Sequence, residues 1–430
     1  MRRAVAVVTA GLALLATGCS SGSASSSQGA SGASAGASVS SEAAGPASPS
    51  APAGPRVRLQ QVAAGFTTPV GLVSPPAQPD RRLVIDQVGV VSELDARGRK
   101  FPAPFLDLRS RVVELYAGRD DERGLLGLAF HPGWQQNRRV FVFYTARPPA
   151  GSPIDHVNVL SEFAVRRDGA AVDPSSERVL LRSPQRQSSH AAGQLLFDAS
   201  GRLLVFTGDA LEGSAYAQNP RSLYGKVLRL DVDAAQRQVP QVLASGLRHP
   251  WRVSYDHPSE RVLIAEPNFT SRHQEVNVLA AGANYGWQLD VAKQCYPEGA
   301  RTADPTCLRD SSGRPLTPPA AEYGPDDGLI VSGAIVYRGS AVPALRGKLV
   351  LSEWGVGSTG RPIEGRLLSA DVTAAPPWRV GPVTIDGGRP EAALLFWSLA
   401  RDGRGELYVL AMRDRGNTPG GGMVLRVAGL

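Results

Sequence analysis

The chain has 430 residues, a formal charge of +7 from 46 Lys and Arg against 39 Asp and Glu, and three cysteines. The basic side is nearly all Arg, with Lys only at positions 100, 226, 293 and 348. No run of Arg or Lys is long enough for a nucleic-acid patch, so that class of partner is excluded.

Met1-Arg2-Arg3 is a basic start, and Ala4 to Ala16 is an apolar run too short to span a bilayer. With Thr17-Gly18-Cys19 it reads as a secretory signal over residues 1–18. Cys directly after Ala-Thr-Gly resembles the lipobox of bacterial lipoproteins, so lipidation of Cys19 is expected. The alternative is an ordinary signal peptide with an incidental Cys. Residues 20–55 are almost entirely Ser, Ala, Gly and Pro. Such a segment buries too little apolar surface to fold, so residues 19–55 read as a lipidated Cys and a flexible tether. Residues 56–430 remain as the folded body.

A short strand-like pattern recurs six times in that body: RRLVIDQVG from Arg81, RRVFVFYTA from Arg138, GRLLVFTGDA from Gly201, ERVLIAEPN from Glu260, GKLVLSEWG from Gly347 and GELYVLAMRD from Gly405. Anchored on Arg82, Arg139, Arg202, Arg261, Lys348 and Glu406, the steps are 57, 63, 59, 87 and 58 residues. A near-constant period of short strands signals a radial β-repeat. The expected fold is all-β, a six-bladed β-propeller closed by pairing the segment near Val57–Val62 with the last repeat. The 87-residue step contains Cys295 and Cys307. In an exported protein such a pair favours a disulfide stapling an insertion, with a metal pair as the alternative.

The third repeat places His190 before one strand of a hairpin and Asp209 after its partner, at the same edge of the sheet. A carboxylate beside an imidazole fixes its tautomer and makes a general base; a turn cap is the competing reading. The fourth repeat opens with Gly246-Leu247-Arg248-His249-Pro250. Pro250 bends the chain and offers Arg248 at a loop, either to a carboxylate or quinone oxygen or to a neighbouring acid. The turn Glu266-Pro267-Asn268, with Glu275 and Tyr285 beyond it, carries the oxygens that calcium prefers, or is ordinary turn chemistry. His131 reads as structural, and His156, His257 and His273 as surface residues.

ERGLLGLAFHPGW (from Glu122), AQNPRSLYGKVLRLDVD (from Ala217), GLRHPWR (from Gly246), GANYGW (from Gly282) and VYRGSAVPALRGKLVLSEW (from Val336) resemble the glucose/sorbosone dehydrogenase family. That family includes soluble quinoprotein glucose dehydrogenase, bacterial aldose sugar dehydrogenases and the propeller of Hedgehog-interacting proteins. The resemblance implies a six-bladed propeller, pyrroloquinoline quinone (PQQ) and Ca²⁺ as cofactors, and oxidation of an aldose at its anomeric hydroxyl to a lactone. It makes His190 the base, Asp209 its supporting acid and Arg248 a catalytic and cofactor contact. It places His249, Glu266 and Pro267 beside the cofactor, and Pro267, Asn268, Glu275 and Tyr285 at calcium positions. His249 stands where the enzymes often have Asn, Glu266-Pro267-Asn268 where they usually have a Gly-containing turn, and Ser189 where the glucose enzyme has Asp. The expected partners are a sugar, a membrane reached through the lipid anchor, and an envelope electron acceptor, either a cytochrome or a quinone. The expected location is the outer face of a bacterial membrane. A binding propeller that has lost PQQ, or a calcium-dependent lactonase, are the rival classes.

Overall fold

The computed structural model describes residues 54–430 apart from 235–238, 269–272, 288, 290–308, 311, 326, 357–363 and 387–392. The signal, nearly all of the tether, Cys19, Cys295 and Cys307 lie outside the described residues.

The body is all-β, with its sheets arranged as in a propeller. Four sheets have four strands each, paired in sequence order. The first holds Pro69–Val73, Arg82–Asp86, Val90–Leu94 and Leu106–Asp107. The second holds Leu125–Phe130, Arg139–Ala146, His156–Ala164 and Arg178–Gln185. The third holds Ala192–Phe197, Leu203–Thr207, Lys226–Leu230 and Gln241–Ser245, and the fourth Arg252–Asp256, Arg261–Glu266, Gln274–Val278 and Ala321–Tyr323. The remaining sheet has eight strands in two meanders. One runs Val331–Val336, Lys348–Val356, Glu364–Asp371, Val380–Ile385; the other is Leu395–Arg401, Leu407–Met412, Gly422–Ala428 and, from the other end of the body, Arg56–Phe66.

The N-terminal strand thus closes the last meander, as the repeat pattern predicts. Arg58 pairs with Ala428 and Gln60 with Arg426 in antiparallel register. Its start also pairs in parallel with the neighbouring meander, Val57 opposite Ile385, joining the two into one sheet. Closure pairs the N-terminal strand on both sides rather than leaving it as an edge on which another chain could pair.

Each of the six sequence repeats is the second strand of its sheet or meander. These strands are covered on both faces: every residue of Leu203–Thr207 and Leu407–Met412 is buried. A strand covered on both faces needs a continuous apolar run, and this is why the repeat is visible in sequence. Fourth strands such as Gln241–Ser245 are half exposed and carry little pattern. Between sheets, Phe141, Phe143, Phe163 and Phe206 are fully buried. Each such ring contributes roughly 1.5–3 kcal/mol of transfer free energy. First strands of successive sheets pack on one another around a closed circle, the last against the first. The extra length of the fourth repeat falls between Gln274–Val278 and Ala321–Tyr323.

His156 corrects the sequence reading. It is fully buried, with Nδ1 2.8 Å from Asp155 Oδ1, because Arg139–Ala146 and Arg178–Gln185 flank its strand on both sides.

Candidate active site around His190

The third hairpin forms as the spacing predicts. Asp198 holds its turn by accepting from Ser200 and Arg202 amides, each at 2.9 Å, and Ala192 pairs with Thr207. Just past that pair, His190 Nδ1 lies 2.6 Å from Asp209 Oδ1. Both residues are buried, at 4% and 1% exposure. Gly208 permits this approach: a Cβ there would lie 1.9 Å from the His190 carbonyl oxygen. Behind it, the Gly225 amide donates to Gly208 O at 2.7 Å. Lys226 Nζ ties down the same segment through the carbonyls of Tyr216, Ala217 and Tyr224 at 2.7–2.8 Å. His190 itself has φ 63°, a left-handed conformation that costs a non-Gly residue on the order of 1 kcal/mol and recurs at functional sites. Its amide donates to Glu122 Oε2.

Asp209 is fixed on its other side as well. Trp287 Nε1 donates to Oδ2 at 2.6 Å, and the Leu211 amide to Oδ1 at 3.0 Å. Burial pushes the Asp209 carboxyl up, but the hydrogen bonds from His190 and the indole N–H outweigh it and hold the carboxyl below its usual range. Asp209 therefore stays an acceptor, and His190 carries its proton on Nδ1, leaving Nε2 as the basic nitrogen.

The fourth repeat meets this pair directly. The Asp209 amide donates to the Arg248 carbonyl at 2.8 Å. The His249 ring stacks on His190, with centroids 5.1 Å apart and planes 25° from parallel, and its Nε2 lies 3.5 Å from Glu122 Oε2. Burial holds the His249 imidazole well below its usual pKa, and the charge of Arg248 acts in the same direction. His249 is therefore neutral. Arg248 is 7% exposed, lies 5.3 Å from the centre of the Trp287 ring, and donates from Nη1 to the Pro267 carbonyl at 2.9 Å.

Glu266 turns its carboxylate inward. Oε1 accepts from the amides of Arg248 and His249, and Oε2 from Asn277 Nδ2 at 3.3 Å. Asn268 exchanges backbone bonds with the Gln274 side chain. Tyr285 is buried, and its hydroxyl donates to the Val278 carbonyl at 2.8 Å. Glu275 stands between Glu266 and Glu322 on paired strands, with Asn277 Nδ2 3.4 Å from its Oε2. Burial, and then the charges of Glu266 and Glu322, push Glu275 up to about 8; burial takes Glu266 to about 7.

Glu122, Trp287, Asn277 and Glu322 are site residues that the sequence reading left without roles. Glu122 and Trp287 fall in motifs that carry the family resemblance, but nothing in their spacing ties them to His190 or Asp209. Glu322 sits beyond the insertion, and only strand pairing brings it opposite Glu275.

The donor set fits the expected cofactor pair. An anionic quinone needs a buried cation, which Arg248 supplies. Calcium needs hard oxygens. The Pro267 carbonyl has a second lone pair beyond the one Arg248 uses, and Asn277 Oδ1 is buried without a partner. Among the described residues no three His, Cys, Asp or Glu side chains form a metal cage, so a calcium ion here would draw mainly on carbonyl and amide oxygens.

The Hedgehog-interacting protein of Mus musculus is 29% identical over 321 residues, covering 69% of this chain and 42% of the relative. Quinoprotein glucose dehydrogenase B of Acinetobacter calcoaceticus is 23% identical over 205 residues, 41% of this chain and 42% of the relative. The chain thus spans less than half the length of these two relatives. Among solved structures, the PQQ-bound aldose sugar dehydrogenase from Streptomyces coelicolor shares the fold. Its TM-score is 0.60 at 21% identity, over 88% of this chain and 99% of that one. The glucose / sorbosone dehydrogenase family matches residues 68–355, most of the body and every residue of the site around His190, and the chain belongs to that family.

Proposed function

We propose that this chain is a six-bladed quinoprotein that oxidises an aldose at its anomeric hydroxyl to the lactone. The blade count takes the two meanders of the eight-stranded sheet separately. The buried His190–Asp209 pair carries the reading, because a fixed tautomer with Nε2 basic is what proton abstraction requires. When bound, PQQ supplies the two-electron oxidant and calcium its Lewis acid. Arg248, with Pro267, would hold them. His190 takes the hydroxyl proton at Nε2. Asp209 stabilises the resulting imidazolium, and Trp287 and Leu211 keep that carboxylate from rotating. Neutral His249, stacked on His190, limits the ring's orientation and excludes water without adding charge. Arg248 places positive charge where negative charge develops on the oxidant. Lipidated Cys19 and the 20–55 tether would hold the enzyme on the membrane, near a cytochrome or quinone that removes the electrons.

One observation favours a second reading, a binding propeller without PQQ. Glu266 puts a buried carboxylate next to Pro267, where a Gly-containing turn would leave room, and the similarity to a Hedgehog-interacting protein fits a partner-binding role. An absorbance titration with micromolar PQQ and millimolar Ca²⁺, followed by a dye-linked aldose assay, separates the two. Saturable binding and turnover support the enzyme; no PQQ binding overturns it in favour of the binding propeller.

A further inference from the structure

A half-open pocket of about 900 Å³ lies on the seam between the first two sheets, at the end of the body opposite the His190 pair. Strand direction places it there. His190 precedes the first strand of its sheet and Asp209 follows the second. The pocket is lined instead from the links between first and second strands (Gln78, Arg81, Trp134, Arg138) and between third and fourth strands (Phe101, Asp168). Its walls are fixed before any ligand arrives. Arg81 grips Glu93 through Nε and Nη2 at 2.8 and 2.7 Å, and Nη2 also donates across the seam to the Gly169 carbonyl at 2.7 Å. Trp134 forms the floor: it is buried, its Nε1 donates across the seam to the Pro76 carbonyl at 3.2 Å, and its ring meets Phe130 edge-on at 5.0 Å. Phe101 stands on the rim. It is 49% exposed and is the only exposed Phe or Trp among the described residues.

The polar lining is charge-balanced. Arg81 and Glu93 cancel each other. Arg138 adds one positive charge, its guanidinium carbon 5.9 Å from the centre of the Trp134 ring, and Gly169 leaves room for it, since a Cβ there would lie 3.2 Å from Nη1. Asp168 adds one negative charge and uses Oδ1 to accept from the Ala170 amide at 3.0 Å. Among the described residues neither pairs with an opposite charge. An anion here would meet Asp168, and a cation would meet Arg138. A neutral ligand whose polar groups each donate and accept serves both, together with the amides of Gln78 and Gln135. Sugar rings have that character: their hydroxyls donate and accept, and their C–H face packs on an aromatic ring such as Phe101. A pocket of this size takes more than one such ring.

We propose that this pocket is a second, non-catalytic site that binds a neutral oligosaccharide or polysaccharide. Phe101 is its stacking platform, and Arg138 and Asp168 hold the hydroxyls. The site is separate from the His190 pair and does not rest on the dehydrogenase reading.

The test uses the full-length protein and borohydride-reduced cellohexaose, maltohexaose and chitohexaose. Reduction removes the free anomeric hydroxyl, so binding is read without oxidation. Calorimetry should find saturable binding of at least one of the three, with a Kd of about 1 mM or tighter. Phe101→Ala and Asp168→Ala should each weaken it by about tenfold or more while keeping the wild-type Tm, because both side chains are exposed. His190→Ala should bind as the wild type does. No saturable binding of any of the three up to about 10 mM overturns the proposal. Binding that survives Phe101→Ala and Asp168→Ala but is lost in His190→Ala also overturns it, since the sugar then sits at the other end. Tighter binding of polygalacturonate refutes the neutral class of ligand.

Discussion

Replacing Asp209 by Asn preserves shape and changes one proton pattern. All three partners of the carboxylate are donors: His190 Nδ1 and the Leu211 amide on Oδ1, Trp287 Nε1 on Oδ2. An amide side chain at this position therefore has no good orientation. With its NH₂ toward Trp287 it loses the 2.6 Å indole bond and leaves two buried donors facing each other. With its NH₂ toward His190 it forces the imidazole proton onto Nε2, where the ring can no longer accept one. An unmet buried bond costs about 1–3 kcal/mol, and loss of a competent base costs about 10²–10⁴ in rate. Dye-linked aldose turnover with saturating PQQ and Ca²⁺ should fall by that factor while PQQ affinity stays within about threefold. Trp287→Phe is the control: it removes one bond, leaves the tautomer alone, and should lower stability by about 1 kcal/mol with a far smaller loss of rate. An Asp209→Asn variant that turns over within about threefold of wild type would refute the assigned role of the pair.

Three further outcomes are expected. Glu266 and Glu275 have folded pKa values raised to about 7 and about 8. In the folded state they keep protons that the unfolded chain releases, so their contribution is fully present below about pH 4.5 and is lost as pH rises through about 8; Tm measured in a chelator should fall between about pH 5 and 8, and Glu275→Gln should flatten that fall, whereas parallel profiles would count against the assignment. Val57 is fully buried where the N-terminal strand meets the neighbouring meander; Val57→Asp should cost at least about 3 kcal/mol in urea unfolding, and a loss below about 1 kcal/mol would mean that this pairing does not hold in solution. Cys19→Ser should move the protein from the membrane to the soluble fraction, and unchanged retention would remove the lipid anchor from the proposal.

Much of the architecture is legible in the chain alone. The repeat shows because second strands covered on both faces must be continuously apolar wherever they occur. Closure shows because Val57 to Val62 is a strand with no partner nearby in sequence. His190 and Asp209 fall at one sheet edge because the hairpin turn at Asp198 brings the two strand ends together, although a bulge between Ala192 and Leu195 shifts the register by one residue before it reaches them. Outer strands such as Leu106–Asp107 left no trace, since so short and partly exposed a strand imposes no pattern. What surrounds the catalytic pair is a matter of packing. Trp287 reaches Asp209 across 78 residues and Glu122 reaches His190 across 68, and neither separation is encoded in local spacing. His156 is buried because the second sheet covers it, which its neighbours in sequence do not reveal. Arg252 reads in sequence as one more Arg among many; it becomes a buried, half-satisfied cation only when three first strands converge on it.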